Sequence, residues 1–286
     1  MTPRVLTTLI AVADSGSFAR AAQACNMTLS AVSMQMKALE VELNVHLFDR
    51  NFRPPKLTPL GRRVSEEARR VIAAHDDVLR LCQAPGTLKG DFRIGFVLTS
   101  SVRLLPGFLA RSGTEFPDAR FAIETGLSDD LLARVAEGAL DAAIITGGED
   151  LPRGTRETVL AHEELVYCLP LGAEKWPITA CMDKLTFIHF MPQAGIGRLI
   201  ARHLAAGNLT PRDTIVLDTV EAVAECVRSG VGFGILPKPD VLRYARGEIH
   251  LRALSRGKTM RTVVLVTRAG TAADAGAETL AKALAG

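Results

Sequence analysis

The chain has 286 residues, 48% of them hydrophobic and 23% charged, with a formal net charge of +3. At about 150 residues per domain this length suggests two domains. The apolar fraction excludes a disordered chain, and apolar runs such as 263–266 are far shorter than the roughly 20 residues that a membrane-crossing helix requires. The N-terminus shows no signal-peptide core or cleavage pattern, so the expected location is the cytoplasm, with no membrane partner. The five cysteines (25, 82, 168, 181 and 226) show no CxxC spacing, and the six histidines form no HExxH. No metal and no cofactor are expected, and the thiols read as small core residues. Residues 1–90 carry a net +4 and residues 91–286 a net −1, a split that permits a nucleic-acid-binding head on a neutral body.

The first 58 residues read as short helices. Leu6, Leu9, Ile10 and Ala13 lie on one helical face, broken by Asp14-Ser15-Gly16. Ser17 is a good N-cap for a second helix, whose inner face is Phe18, Ala21, Ala22 and Cys25. After a turn at Asn26-Met27, Thr28 caps a third helix with Val32, Met36 and Leu39 inward. This is a helix-turn-helix pattern. Asn44 stands at the helix end, where a left-handed residue is wanted. Residues 46–48 and 54–58 flank a basic tip and read as the two strands of a wing.

From Pro59 the pattern is helical for about 25 residues. Leu60, Val64, Ala68, Val71, His75, Val78 and Cys82 form a heptad-like seam, through which two such helices could pair. A long helix packed on its own domain is the alternative. Pro85-Gly86 marks a linker.

From Gly90 short apolar runs alternate with helices. Strands are expected at 92–98, 121–124, 141–146, 165–169, 185–190, 214–217 and 232–236. Helices are expected around 104–109, 131–139, 196–206 and 220–228, with an Ala-rich terminal helix after Ala269. The alternation implies open, mostly parallel sheets, and nearly 200 residues suffice for two lobes.

Several motifs together resemble the LysR-type transcriptional regulators. They are Ser15-Gly16-Ser17-Phe18, Ala21-Ala22, Ala31-Val32-Ser33, Leu39-Glu40, Leu47-Phe48-Asp49-Arg50, and Leu57-Thr58 with Gly61. Phe92-Arg93-Ile94-Gly95-Phe96, Leu104-Leu105-Pro106, 138–141 and 230–237 extend the resemblance over the whole chain. It implies a winged helix-turn-helix followed by a two-lobed α/β effector domain like the periplasmic binding proteins. The corresponding partition is a DNA-binding domain at 1–58, a dimerising linker helix at 59–88 and an effector domain at 89–286. Lobe I would comprise about 89–161 and 267–286, and lobe II about 162–266. The implied partners are double-stranded DNA at a pseudo-palindromic promoter site, a small-molecule effector, further copies of the chain as a dimer or dimer of dimers, and RNA polymerase.

The DNA-facing set would be Thr28, Leu29, Ser30, Ser33, Met34 and Lys37 on the recognition helix. Arg50, Arg53 and Lys56 on the wing are suited to phosphates. The family often has Gln where this chain has Leu29 and Arg where it has Met34. Leu29 can touch a thymine methyl but cannot hydrogen-bond a base, and Met34 removes a polar contact. Asn44 replaces a usual Gly and Cys25 a usual Leu.

Ligands in open α/β sheets bind beyond the carboxyl ends of strands. Thr99, Ser100 and Ser101, between a strand and a helix, suit an anion such as a carboxylate. Gln193 and Gly195 lie at a comparable junction, where glycines allow close backbone approach, and Thr219 precedes another helix. Ser128 and Thr146 resemble the family's cleft wall and hinge. The expected function is a ligand-responsive DNA-binding regulator, not an enzyme. A cysteine-based redox regulator is the alternative, ahead of a solute-binding protein or an enzyme.

Overall fold

The structure is a computed structural model and describes residues 1–52, 54–81, 88–148, 150–254 and 259–285. Arg53, Cys82 and the Pro85-Gly86 linker lie outside the described residues. The chain forms two compact units, Met1–Ala84 with Glu137–Ala139, and Pro85–Ala136 with Leu140–Gly286.

The first unit is built from helices α1 (Pro3–Ser15), α2 (Phe18–Ala24) and α3 (Leu29–Leu43), the two-residue strands β1 (Phe48–Asp49) and β2 (Lys56–Leu57), and the long helix α4 (Pro59–Leu81). Local chemistry sets each boundary. Gly16 takes a left-handed conformation (φ +60°) and donates its N–H to the Val12 carbonyl, ending α1. Ser17 and Thr28 cap α2 and α3 by accepting hydrogen bonds from Arg20 N and Ala31 N. Asn44 closes α3 at φ +52°. Leu9, Ala21, Val32, Met36, Leu39 and Leu47 are almost completely buried in one core. Cys25, expected inside, is only half-buried, because α2 ends one residue before it.

Helix α4 corrects the expectation of a single seam. Val64 and Ala68 pack into the core of the first unit. Leu60, Val71 and Val78 remain 42–62% exposed. The close approach to the wing depends on Gly61, where a Cβ would fall 2.1 Å from the Leu47 carbonyl oxygen.

The second unit follows the expected alternation: β3 (Gly90–Val97), α5 (Leu98–Glu115), β4 (Ala119–Gly126), α6 (Ser128–Ala136), β5 (Ala142–Thr146), β6 (Thr155–Pro170), α7 (Ile178–Lys184), β7 (Thr186–Phe190), α8 (Gly195–Ala206), β8 (Thr214–Leu217), α9 (Val220–Arg228), β9 (Gly232–Pro237), α10 (Lys238–Val241), β10 (Ile249–Ala253), β11 (Met260–Arg268), α11 (Ala272–Ala275) and α12 (Ala277–Ala285). The sheet order is β4-β3-β5-β11-β6-β9-β7-β8, with β10 on β6. β4-β3-β5 and β9-β7-β8 pair in parallel. β6 and β11 pair antiparallel with their neighbours, so the expected mostly parallel sheets are mixed. The sixteen-residue β6 joins the lobes: Thr155–Glu164 pair with β11, and from Leu165 the strand pairs with β9. β11 pairs with β6 from Met260 and with β5 from Val263, and the β5 pairing attaches 263–266 to lobe I, whereas the sequence partition left them in lobe II. Each lobe buries its own apolar core, around Phe92, Ile94 and Leu265 in lobe I and Phe187, Ile188 and Phe233 in lobe II.

Candidate functional site

On the first unit, the helix dipole, the capping hydroxyl and the wing converge. The N-cap Thr28 and, on α3, Leu29, Ser30, Ser33, Met34 and Lys37 are all exposed, while Val32, Met36 and Leu39 hold the opposite face. The Thr28 hydroxyl accepts from Ala31 N at 3.2 Å and lies 3.0 Å from the Ser30 hydroxyl. An open groove runs between α3 and the wing, with Leu29, Ser30 and Ser33 on one wall and Arg50, Phe52 and Pro55 on the other. Lys56 Nζ lies 4.7 Å from the Phe52 ring centre, and Phe52, absent from the sequence reading, is 47% exposed at the wing tip.

Arg50 is not a simple surface cation. Its Nη2 donates to Glu40 Oε2 at 2.9 Å, and Glu40 Oε1 accepts from Leu47 N and Phe48 N at 2.8 and 3.0 Å. Glu40 thus fastens the wing to the back of α3. Burial raises its pKa, but the bonds from Phe48, Arg50 and Leu47 outweigh that and hold the carboxyl below its usual value. In the sequence Glu40 stands out only as part of the Leu39-Glu40 motif of the resemblance, with no role attached. Arg53 lies outside the described residues.

On the second unit, α5 begins at Leu98, so Thr99, Ser100 and Ser101 form its first turn and not a preceding loop. The N-cap residue Val97 makes no side-chain cap, which leaves the first-turn amides available to an anion. The predicted hydroxyls then separate by role. Ser100 is fully buried and accepts from Arg261 Nη2 at 3.2 Å, and Thr146 accepts from Arg261 Nε at 3.1 Å. Ser101 donates to the Leu98 carbonyl. The two bonds to Arg261 brace β11; they make Ser100, which lines neither cavity beside Leu98 and Thr99, a framework residue and Thr146 framework as well as wall.

Two cavities flank Leu98 and Thr99. The smaller, about 20 Å³, brings together Thr99, Ser128, Thr146 and Gly195 and has room for about one water. The larger, about 190 Å³, is walled by Leu98, Thr99, Val102 and Arg103 of lobe I and by Phe190, Thr219, Val220, Glu221, Asp240, Arg243 and Tyr244 of lobe II. Thr219 reaches it while capping α9 through Ala222 N. Gln193 is exposed and lines neither cavity. The neighbouring Gly197 does permit close approach, but to the protein itself: a Cβ there would fall 2.0 Å from the Met191 carbonyl oxygen. The charged wall residues Arg103 and Asp240 escaped the sequence reading because no local motif marks them.

Cys168 and Cys181 are buried, and burial pushes both thiols upward, away from the reactive thiolate. Cys25 and Cys226 are half-buried, and Cys82 lies outside the described residues. Among the described residues no group of three or more His, Cys, Asp or Glu is placed to hold a metal, and no helix is long and apolar enough to cross a membrane.

Two family models match the chain: the bacterial regulatory helix-turn-helix protein of the lysR family over residues 3–62, and the LysR substrate binding domain over residues 85–286. A probable RuBisCO transcriptional regulator from Synechocystis is 30% identical over 239 residues, covering 79% of this chain and 69% of the relative. The HTH-type transcriptional regulator YofA of Bacillus subtilis is 28% identical, covering 81% of this chain and 79% of the relative. Among solved structures, a full-length OxyR variant from Pseudomonas aeruginosa superposes with a TM-score of 0.76 at 24% identity, covering 99% of this chain and 94% of that one. CbnR in complex with its target DNA gives a TM-score of 0.65 at 19% identity, covering 99% and 100%.

Proposed function

The chain belongs to the LysR family of transcriptional regulators, and we propose that its first unit reads a pseudo-palindromic promoter site while the cleft of its second unit takes a small carboxylate that alters operator binding. It is a regulator and not an enzyme, as its relatives are. The observation that carries the DNA half is the exposed hydroxyl-and-lysine face of α3 beside the wing cations. Thr28, Arg50, Arg53 and Lys56 serve phosphates, and Leu29, Ser30, Ser33, Met34 and Lys37 face base edges. Leu29 and Met34 bring apolar surface to the groove, so specificity leans toward thymine methyl contacts. The exposed Leu60, Val71 and Val78 of α4 fit pairing with a second copy, as a dimer or dimer of dimers. The place of action is the cytoplasm, and a promoter-proximal site brings the protein near RNA polymerase.

The observation that carries the ligand half is the 190 Å³ cavity, closed by both lobes and opening on the uncapped start of α5. Thr99 and Thr219 offer hydroxyls, and Leu98, Val102, Phe190 and Val220 hold an apolar body. Ser128, Thr146 and Gly195 line the adjoining small cavity, and Ser101 is held in the first turn of α5 by its bond to the Leu98 carbonyl. A ligand that prefers one arrangement of the lobes shifts the population toward it. The buried Cys168 and Cys181 do not support a redox mechanism.

Two substitutions separate the halves. Lys37→Ala is expected to weaken operator binding by about 1–3 kcal/mol without altering ligand binding. Fluorescence anisotropy on operator DNA checks this, and an unchanged affinity removes Lys37 from the interface. Val102→Trp fills the cavity. It is expected to abolish the thermal protection by small carboxylates seen with the parent chain, about 2.7 kcal/mol at 100 times Kd. Operator affinity without ligand should stay within about threefold, since a threefold change is only about 0.7 kcal/mol. Protection that survives the tryptophan places the ligand elsewhere.

A further inference from the structure

Four charged side chains meet behind the larger cavity. Arg103 comes from the second turn of α5 in lobe I, and Asp240 from α10 in lobe II. Glu163 and Arg261 face one another across β6 and β11 where the chain passes between the lobes. Arg261 is fully buried, and Glu163 and Asp240 are nearly so. Arg103 Nη2 pairs with Glu163 Oε1, and its Nε lies 3.1 Å from Asp240 Oδ1. Arg261 Nη1 lies 3.5 Å from Glu163 Oε2 and 3.6 Å from Asp240 Oδ2.

Charge is balanced, yet the network is loosely satisfied. Arg103 Nε, Glu163 Oε2, Asp240 Oδ2 and Arg261 Nη1 are buried without an aligned hydrogen bond. A buried network whose members are only partly satisfied is sensitive to a change in any one of them. Arg261 is anchored to lobe I through Thr146 and Ser100. Asp240 is the member that lobe II contributes, and Arg103 and Asp240 are the two that also line the cavity. A further bridge between these lobes, Arg198 with Asp129 at 2.8 Å, is exposed.

We propose that Arg103 and Asp240 form a breakable bridge between the lobes, and that an anionic group entering the cavity draws Arg103 away from Asp240. This deepens, and rests on, the reading of the cavity as the effector site. Arg103 thereby becomes the residue that selects for negative charge and reports its arrival.

The bridge has a protonation partner. Desolvation pushes the Asp240 carboxyl up to about 6; Arg261 and Arg103 lower it, Glu163 raises it, and Arg243 of the adjoining turn lowers it. Lys238, on the same short helix, is occupied by Glu164 of β6 at 3.3 Å. When a ligand takes Arg103, Asp240 loses a cation that held it ionised, so its pKa rises further. Anion binding and Asp240 protonation therefore favour each other. Affinity for an anion should be greater at pH 5.5 than at pH 7.5, by up to about tenfold.

The test uses the full chain and a panel of C4–C8 carboxylates, the matching sulfonates, which keep their charge at both pH values, and the neutral primary amides. Thermal protection is measured at pH 5.5 and 7.5. The expected result is protection by anions and not by amides, tighter at pH 5.5, with the gain abolished in Asp240→Asn. In Asp240→Asn without ligand, hydrogen exchange should quicken at 163–166 and 260–263 and stay unchanged in α1–α3. The paired variant Arg103→Gln/Asp240→Asn removes one charge of each sign, which keeps the fold's charge balance. It should bind anions at least about tenfold more weakly, at either pH, as expected for loss of a charge-assisted bond. Anion protection whose pH gain is absent in the parent chain or persists in Asp240→Asn overturns the bridge and leaves the effector reading intact. If no anion protects the parent chain at either pH, the effector reading falls. Unchanged exchange at the crossing strands in Asp240→Asn then removes the bridge on its own evidence.

Discussion

Arg261→Met is expected to lower the stability of the second unit by about 3–5 kcal/mol, the cost of removing one partner from a buried ion network. Arg261 is 0% exposed, and its loss leaves Glu163 and Asp240 to share Arg103. Ser100 and Thr146 lose their donor at the same time. Methionine fills much of the space but supplies no charge. Urea unfolding followed by tryptophan fluorescence isolates this unit, since the chain's single tryptophan, Trp176, packs against the core of lobe II. A loss below about 1 kcal/mol, the range of an exposed pair, would show that the network contributes little.

Glu40→Ala is expected to cost the first unit about 2–4 kcal/mol, because two buried backbone donors lose their acceptor and a charged pair is broken. The donors are Leu47 N and Phe48 N, at the entry to the wing. Operator affinity should fall although Arg50 is released, since a wing that is no longer fastened presents its cations poorly. Amide exchange at 47 and 48 should quicken. The pH dependence has a definite sign. The Glu40 carboxyl is depressed in the folded chain, so its stabilisation is present above the unfolded value, near 4.5, and is lost as pH falls through the lower folded value. Glu40→Gln should remove that part of the acid sensitivity. Unchanged exchange at 47 and 48 in Glu40→Ala would remove Glu40 from this role.

The first unit was legible because its determinants are local. Ser17 and Thr28 cap helices by bonds spanning three residues, and the buried Val32, Met36 and Leu39 repeat at helical spacing. The cleft was half legible. Thr99, Ser128, Thr146 and Gly195 do meet, since strand-to-helix junctions fall at one end of a parallel sheet. Their chemistry was not legible: Ser100 and Thr146 are bound to an arginine 161 and 115 residues away.

Residues 155–164 of β6 were missed because they alternate poorly and carry charges at Arg156, Glu157, Glu163 and Glu164. The partner strand β11 supplies part of the countercharge by setting Arg261 opposite Glu163. The pairing of β11 with β5 likewise placed 263–266 in lobe I.

The helix-turn-helix, its outward face from Thr28 to Lys37 and the alternation that makes a two-lobed α/β body are written in short stretches of the chain, because capping, periodicity and turn chemistry act over a few residues. The tertiary structure alone decided which of those hydroxyls face a cavity, that Glu40 fastens the wing, and that Arg103, Glu163, Asp240 and Arg261 meet between the lobes. Burial and ion pairing depend on neighbours that lie tens to more than a hundred residues apart along the chain, and no local pattern encodes them.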